Sequence, residues 1–135
     1  MAVAGWILDK STAARVDLEE VRSELRQLAG TLYICPVGEL EQRYSTRSAA
    51  EYDELAVELR STFPRAEVPL DVFDRALDLQ RDLAHHHGMW HRTAIPDLLI
   101  AETALYHGLG VVHVDRDFER IAEIRPLLQS RRLRV

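Results

Sequence analysis

Short apolar runs alternate with longer stretches of helical periodicity along the whole chain, and an alternation of that kind folds as βαβ units around a parallel sheet. Ala2 to Leu8 is short and apolar enough for a buried strand. Asp17 to Ala29 follows, with Leu18, Val21, Leu25 and Leu28 at helical spacing and Gly30 as the stop. Thr31 to Cys35 is rich in β-forming residues and ends at Pro36, which opens a helix carrying Val37, Leu40 and Tyr44 on one face. Ala49 to Arg60 makes a further amphipathic face from Tyr52, Leu55, Ala56 and Leu59, ended by Phe63-Pro64, and a short strand is expected near Glu67 to Leu70. Asp71 to His87 is the clearest helix, with an apolar stripe through Val72, Ala76, Leu79 and Leu83 and Gly88 as its stop; Met89 to Ile95 is then a loop. Pro96 opens another helix through Leu98, Ala101 and Leu105 to Gly108, and Gly110 to Val114 reads as a buried strand ending at Asp115. Phe118 to Ile121 begins a final short helix, and Arg131, Arg132 and Arg134 read as a basic tail, open to nucleic-acid contact but better accounted for as a frayed, solvated end.

That topology turns sequence order into a site. In a right-handed βαβ unit the helix runs antiparallel to its strands, so helix N-termini gather at the edge where the strands end. Asp9 ends the first strand, and Glu39 lies in the first turn after the second. Asp97 heads the helix feeding the last strand, and Asp115 ends that strand. Singly, each acid has an ordinary structural reading: Asp9 as a helix cap for Thr12, Asp97 as a first-turn charge, Asp115 as a turn residue. Capping explains one acid at a time, however, and does not require four of them to share an edge. Crowded carboxylates repel unless a cation neutralises them. Mg²⁺, or Mn²⁺, takes hard oxygen ligands and makes a bound water acidic enough to attack a phosphodiester. Asp117 competes with Asp115 for the fourth position. Glu39 and Glu41, two apart on a helix, cannot both point inward.

Composition narrows the function classes. A chain of 135 residues suits one domain, residues 1 to 135, with one site. No apolar run approaches the roughly 20 residues that span a bilayer, and the N-terminus lacks the basic region of a signal peptide, so a cytoplasmic protein with no membrane role is expected. The net charge of -5 excludes holding nucleic acid by bulk electrostatics but allows a local basic rim, and Lys10 is the only lysine among the basic residues. Cys35 is expected as a small buried strand residue. His85, His86, His87 and His91 are separated by Gly88 and lack the spacing of a zinc site; a solvated helix end accounts for them better. Trp90, His91 and Arg92 precede Asp97 and are candidates to touch RNA, by base stacking and phosphate contact.

The motifs Leu8-Asp9-Lys10-Ser11, Pro36-Val37-Gly38-Glu39-Leu40, Pro96-Asp97-Leu98-Leu99-Ile100-Ala101 and Val114-Asp115-Arg116-Asp117-Phe118, in that order, resemble those of the PIN-domain ribonucleases, especially the VapC-type toxins. The resemblance implies an α/β fold of three-layer α/β/α sandwich type with a central parallel sheet. It also implies catalytic acids Asp9, Glu39, Asp97 and Asp115, with Asp9, Asp97 and Asp115 on the metal and Ser11 as a hydroxyl near the site. The implied substrate is structured RNA of the tRNA or rRNA class, and the implied partners are a VapB-type antitoxin and a second copy in a homodimer. Gly38, His113 and Glu102 depart from the family's usual residues, and none of these removes an acid.

Two other readings make different demands. A non-catalytic PIN-like module that binds RNA or protein would not need the full acid set. A HAD-type phosphotransferase also begins with an aspartate after the first strand but wants a second aspartate two residues on, where this chain has Ser11.

Overall fold

The computed structural model describes residues 3–28, 30–86, 93–114 and 116–133. Four strands form one parallel sheet: β1 (Gly5–Leu8), β2 (Thr31–Tyr33), β3 (Gly110–His113) and β4 (Ser130–Arg132), in the order β2-β1-β3-β4. The chain leaves β1 toward one side for β2 and returns to its other side for β3. The order thus reverses between β1 and β3, and in open parallel sheets ligands bind beyond the strand ends at such a switch point.

The strands separate two layers of side chains, as the period of two requires. Ile7 and Val111 face a core shared with Leu79 and Leu83 of α5 (Val72–His86), Leu98, Ile100 and Ala101 of α6 (Ile95–His107), and Phe118 and Ile121 of α7 (Asp117–Ile124). Leu8 and Val112 face the opposite layer, packed with Val21 and Leu25 of α2 (Glu19–Gln27) and with Leu133. Helices on both faces of a parallel sheet make the three-layer α/β/α sandwich. The stripe expected along residues 71–87 is the one that packs: Val72, Ala76, Leu79 and Leu83 are all buried. Gly108 ends α6 in the left-handed conformation with φ of 68°, the place for a residue without a Cβ.

Four expectations need correction. No strand forms over 67–70. Pro69 has no N–H to give a ladder, and only a single bridge, Ile34 to Arg65, extends the edge of β2. Arg131 and Arg132 are not a frayed tail but lie in β4, paired with Val112 and His113, because Leu128 and Leu133 are buried on either side and hold the segment down. Cys35 is buried but lies past β2, as the residue that heads α3 (Pro36–Tyr44). On α3 the apolar residues Leu40 and Tyr44 face outward, 68% and 90% exposed, while Gly38 and Glu39 face in. The remaining elements, α1 (Lys10–Ala13) and α4 (Ala49–Thr62), flank α3.

Candidate active site

Asp9 leaves the last residue of β1 and caps α1, its Oδ2 accepting from the Ser11 backbone N–H at 3.2 Å and from Ser11 Oγ at 2.7 Å. The capping role expected for Asp9 is real, although its partner is Ser11 and not Thr12. Capping alone does not call for burial, yet Asp9 is only 3% exposed. Ser11 Oγ also accepts from the Val114 backbone N–H at 3.1 Å. One hydroxyl thus ties the aspartate after β1 to the end of β3, and the Asp9 backbone N–H donates to Val112 O at 3.0 Å on the same seam. Ser11 is a positioning residue for this edge.

Glu39 reaches the edge from α3, whose first turn Pro36 sets. The side of α3 that packs toward α1 and α6 carries Gly38, where an added Cβ would stand at ordinary contact distance, 3.9 Å, from Leu8 O and Ile100 Cδ1. Glu39, at 3% exposure, is flanked by two guanidinium groups: Arg43 one turn along the same helix, and Arg65, with Nε 3.4 Å from Oε1. Its charge is balanced within the chain. Glu41 points instead to Lys10, 3.9 Å away, so Glu39 is the inward member of the pair.

Asp97 lies in the first turn of α6 after Pro96, 7% exposed, where a negative charge is also favoured by the helix dipole. Asp117 opens α7 at the same edge and is bridged to Arg120 at 3.4 Å. Asp115 lies outside the described residues, as do Trp90, His91 and Arg92, together with His87 and Gly88. Of the sequence-derived acids, then, Asp9, Glu39 and Asp97 are buried side chains from three separate elements at the carboxyl edge. Reading the sequence did not single out Arg43 and Arg65. The i,i+4 spacing from Glu39 to Arg43 was a usable signal, whereas nothing local announces Arg65.

Asp9 and Asp97 offer hard oxygen donors of the kind Mg²⁺ or Mn²⁺ takes, and the buried Cys35 thiol and His113 imidazole, which head α3 and end β3, form no group of three donors with them among the described residues. Among the described residues no three such side chains come together closely enough to hold an ion by themselves. Mg²⁺ commonly takes one or two carboxylates and completes its shell with water and substrate phosphate, so the donor chemistry of Asp9 and Asp97 suits it.

The opposite edge of the sheet has a different character. A cavity of about 440 Å³ there is lined by Val3, Glu102, Gly108, Leu109, Arg125 and Gln129, residues that precede strands or face them from α6. Glu102 is 5% exposed, and burial pushes its carboxyl above the usual range, an effect the Arg125 guanidinium, 3.5 Å away, only partly offsets. The folded protein therefore holds the Glu102 proton more tightly than the unfolded chain does. This group costs stability as pH rises from the ordinary glutamate range through the raised value, and the cost then stays. Glu102→Gln should melt above wild type at pH 7, with the gap closing as pH falls toward 4. A gap independent of pH in thermal melts would show that burial of this charge is not what the substitution relieves.

Residues 4–124 match the family model described as PIN domain. The chain is 52% identical over 128 residues to Ribonuclease VapC17 of Mycobacterium tuberculosis, covering 93% of this chain and 92% of that one. It is 39% identical over 121 residues to Ribonuclease VapC21 of the same organism, covering 88% and 87%. In fold it resembles VapBC2 from Rickettsia felis bound to a DNA fragment from their promoter, with a TM-score of 0.75 at 16% identity over 96% of this chain and 99% of that one. It also resembles DNA-bound VapBC from Salmonella typhimurium, with a TM-score of 0.74 at 23% identity over 98% of each chain. The parallel sheet, the helices on both its faces and the match along nearly the whole chain place this protein in the PIN-domain family, among its VapC members.

Proposed function

We propose that this protein is a divalent-metal-dependent endoribonuclease and the toxin of a toxin–antitoxin pair. The observation that carries the reading is the burial of Asp9, Glu39 and Asp97 at one sheet edge. The core has no use for three ionisable groups drawn from three elements, and burying charge is costly unless something is gained. The 52% identity to a protein named a ribonuclease supplies the reaction class, and structural likeness to VapBC complexes supports an antitoxin of VapB type as partner. Asp9 and Asp97, joined by Asp115, would hold Mg²⁺ or Mn²⁺, which would supply an acidified water and offset charge on the phosphodiester. Within the chain, Ser11 keeps Asp9 turned to the edge and fastened to the end of β3. Arg43 and Arg65 hold Glu39 in place. The substrate is structured RNA of the tRNA or rRNA class.

Helices α4 and α5 leave Val57, Phe73 and Leu77 well exposed, and a homodimer is proposed to cover apolar surface of this kind. Among the described residues no helix is long and apolar enough to cross a membrane.

Purified protein should cleave a folded tRNA or rRNA fragment with Mg²⁺ or Mn²⁺, lose that activity in excess EDTA and regain it when the ion is restored. Undiminished cleavage in EDTA would defeat the metal-dependent reading, and a metal-loaded protein that binds RNA without cutting it would point to the non-catalytic module. Light scattering of the same preparation at micromolar concentration should return twice the chain mass of 15.5 kDa.

A further inference from the structure

Beside Glu39 lies a depression of about 200 Å³ lined by Pro36, Glu39, Leu40, Arg43, Arg60 and Arg65. At about 30 Å³ for each water in the liquid, this leaves room for a phosphodiester group and a few waters. Three guanidinium groups meet one carboxylate there, a local excess of two positive charges on a chain whose net charge is -5. Glu67 at the rim, 3.5 Å from Arg65 Nη1, trims part of that excess. Pairing within the chain does not account for the set. Arg60 is exposed and makes no ion pair among the described residues. Arg43 is already engaged by Glu39 and by Tyr52, whose hydroxyl accepts from Arg43 Nη1 at 3.5 Å, so Arg60 and Arg65 are the more available of the three. The three come from different places: Arg43 from the end of α3, Arg60 from the last turn of α4, and Arg65 from the bridge beside β2. Two of the three also touch an acid of the candidate site, so anything they hold is positioned against that acid.

We propose that this depression is a phosphate subsite for the RNA strand, with Arg60 and Arg65 contacting a backbone phosphate next to the acidic edge and Arg43 shared between Glu39 and the strand. Planar guanidinium groups suit phosphate oxygens, and a strand anchored here enters the edge alongside Glu39. The inference rests on the ribonuclease reading and adds the strand's path to it. Arg60 and Arg65 are then substrate-positioning residues, and their loss acts through counterion release: each phosphate contact removed lowers the slope of log K against log salt by about 0.7 for single-stranded nucleic acid.

The test is anisotropy of a labelled single-stranded RNA of mixed sequence, titrated in EDTA so that it stays intact, from about 50 to about 200 mM salt. Wild type, Arg60→Gln, Arg65→Gln and a control, Arg22→Gln on α2, are compared. Each of the first two should lower the slope by about 0.7, so that the affinity lost across this range shrinks roughly 2.5-fold for each contact removed, while Arg22→Gln leaves the slope alone. Arg60, being exposed, can be replaced without disturbing the core. Equal slopes in all four proteins would overturn the subsite even if wild type cleaves RNA with Mg²⁺, and the ribonuclease reading would survive. No RNA binding by wild type would overturn the subsite, and absence of cleavage with Mg²⁺ as well would take the ribonuclease reading with it. Altered slopes in a protein that never cleaves would keep the subsite and remove the nuclease. Unchanged RNA slopes with weakened binding of an acidic peptide would overturn the proposal by assigning the arginines to a protein partner.

Discussion

Purified Asp97→Asn should cleave RNA at least roughly 100-fold more slowly than wild type, beyond the 10- to 100-fold typically lost when a group that merely orients a metal ligand is removed. Asparagine keeps the shape and much of the packing of this 7%-exposed side chain in the first turn of α6, but it has no charge to balance a cation. Metal affinity, followed by calorimetry with Mn²⁺, should fall with turnover. The melting temperature in metal-free buffer should barely move, and relief of repulsion between acids can raise it. A purely structural Asp97 makes the opposite forecast. A carboxylate that only favours a helix N-terminus is worth about 0.3 to 1 kcal/mol, so its loss would lower stability slightly and leave activity intact. Wild-type cleavage rates in Asp97→Asn would therefore remove Asp97 from the catalytic set.

Phe118→Ala should damage the fold far more than any of the charge substitutions above. Phe118 is fully buried one residue into α7, packed against the layer formed by α5 and α6, with its ring centroid 5.2 Å from that of His113 at the end of β3. Emptying such a site costs about 3 to 5 kcal/mol, against a total of about 5 to 15 kcal/mol for a protein of ordinary stability. For a chain of this size that corresponds to a fall in melting temperature of about 10 to 20 °C. Because the same ring fastens the start of α7 to β3, activity should be lost through unfolding, with the surviving folded fraction still able to bind metal. A variant that melts within a few degrees of wild type would show that the two layers close over the gap, which tight packing around this ring does not allow.

Much of the fold is legible in the sequence because it follows from local rules. Apolar runs of strand length and stripes of helical spacing are recorded residue by residue, so the alternation of elements can be read directly, as can the stripe Val72, Ala76, Leu79 and Leu83. The rule that helix N-termini share an edge with strand ends then assigns Asp9, Glu39 and Asp97 to the same edge with no knowledge of distances. Buried positions for all three agree with that reading. Where the local signal is weak, such a reading fails. Leu40 and Tyr44 look like the inward face of α3, but the face that turns in is chosen by what α1 and α6 present to it. There Gly38 and the ion-paired Glu39 turn in, and the larger apolar side chains are left outside. The segment Ser130–Arg132 carries no β-pattern of its own. It becomes a strand because β3 has an open edge and the buried side chains of Leu128 and Leu133 pin it there.

The sequence by itself determined the kinds of elements and their order, and so which elements carry the acids, since steric preference and hydrophobic period act over a few residues and survive in any fold that uses them. Tertiary structure alone decided the partners of those acids. Ser11 bridges Asp9 to Val114 only because β1 and β3 are neighbours in the sheet. Arg65 reaches Glu39 only because the chain after α4 returns to the edge of β2, where the Ile34 N–H donates to Pro64 O and the Ala66 N–H donates to Ile34 O. Contacts of that sort depend on surfaces brought together from distant parts of the chain, and no short window of sequence carries a record of them.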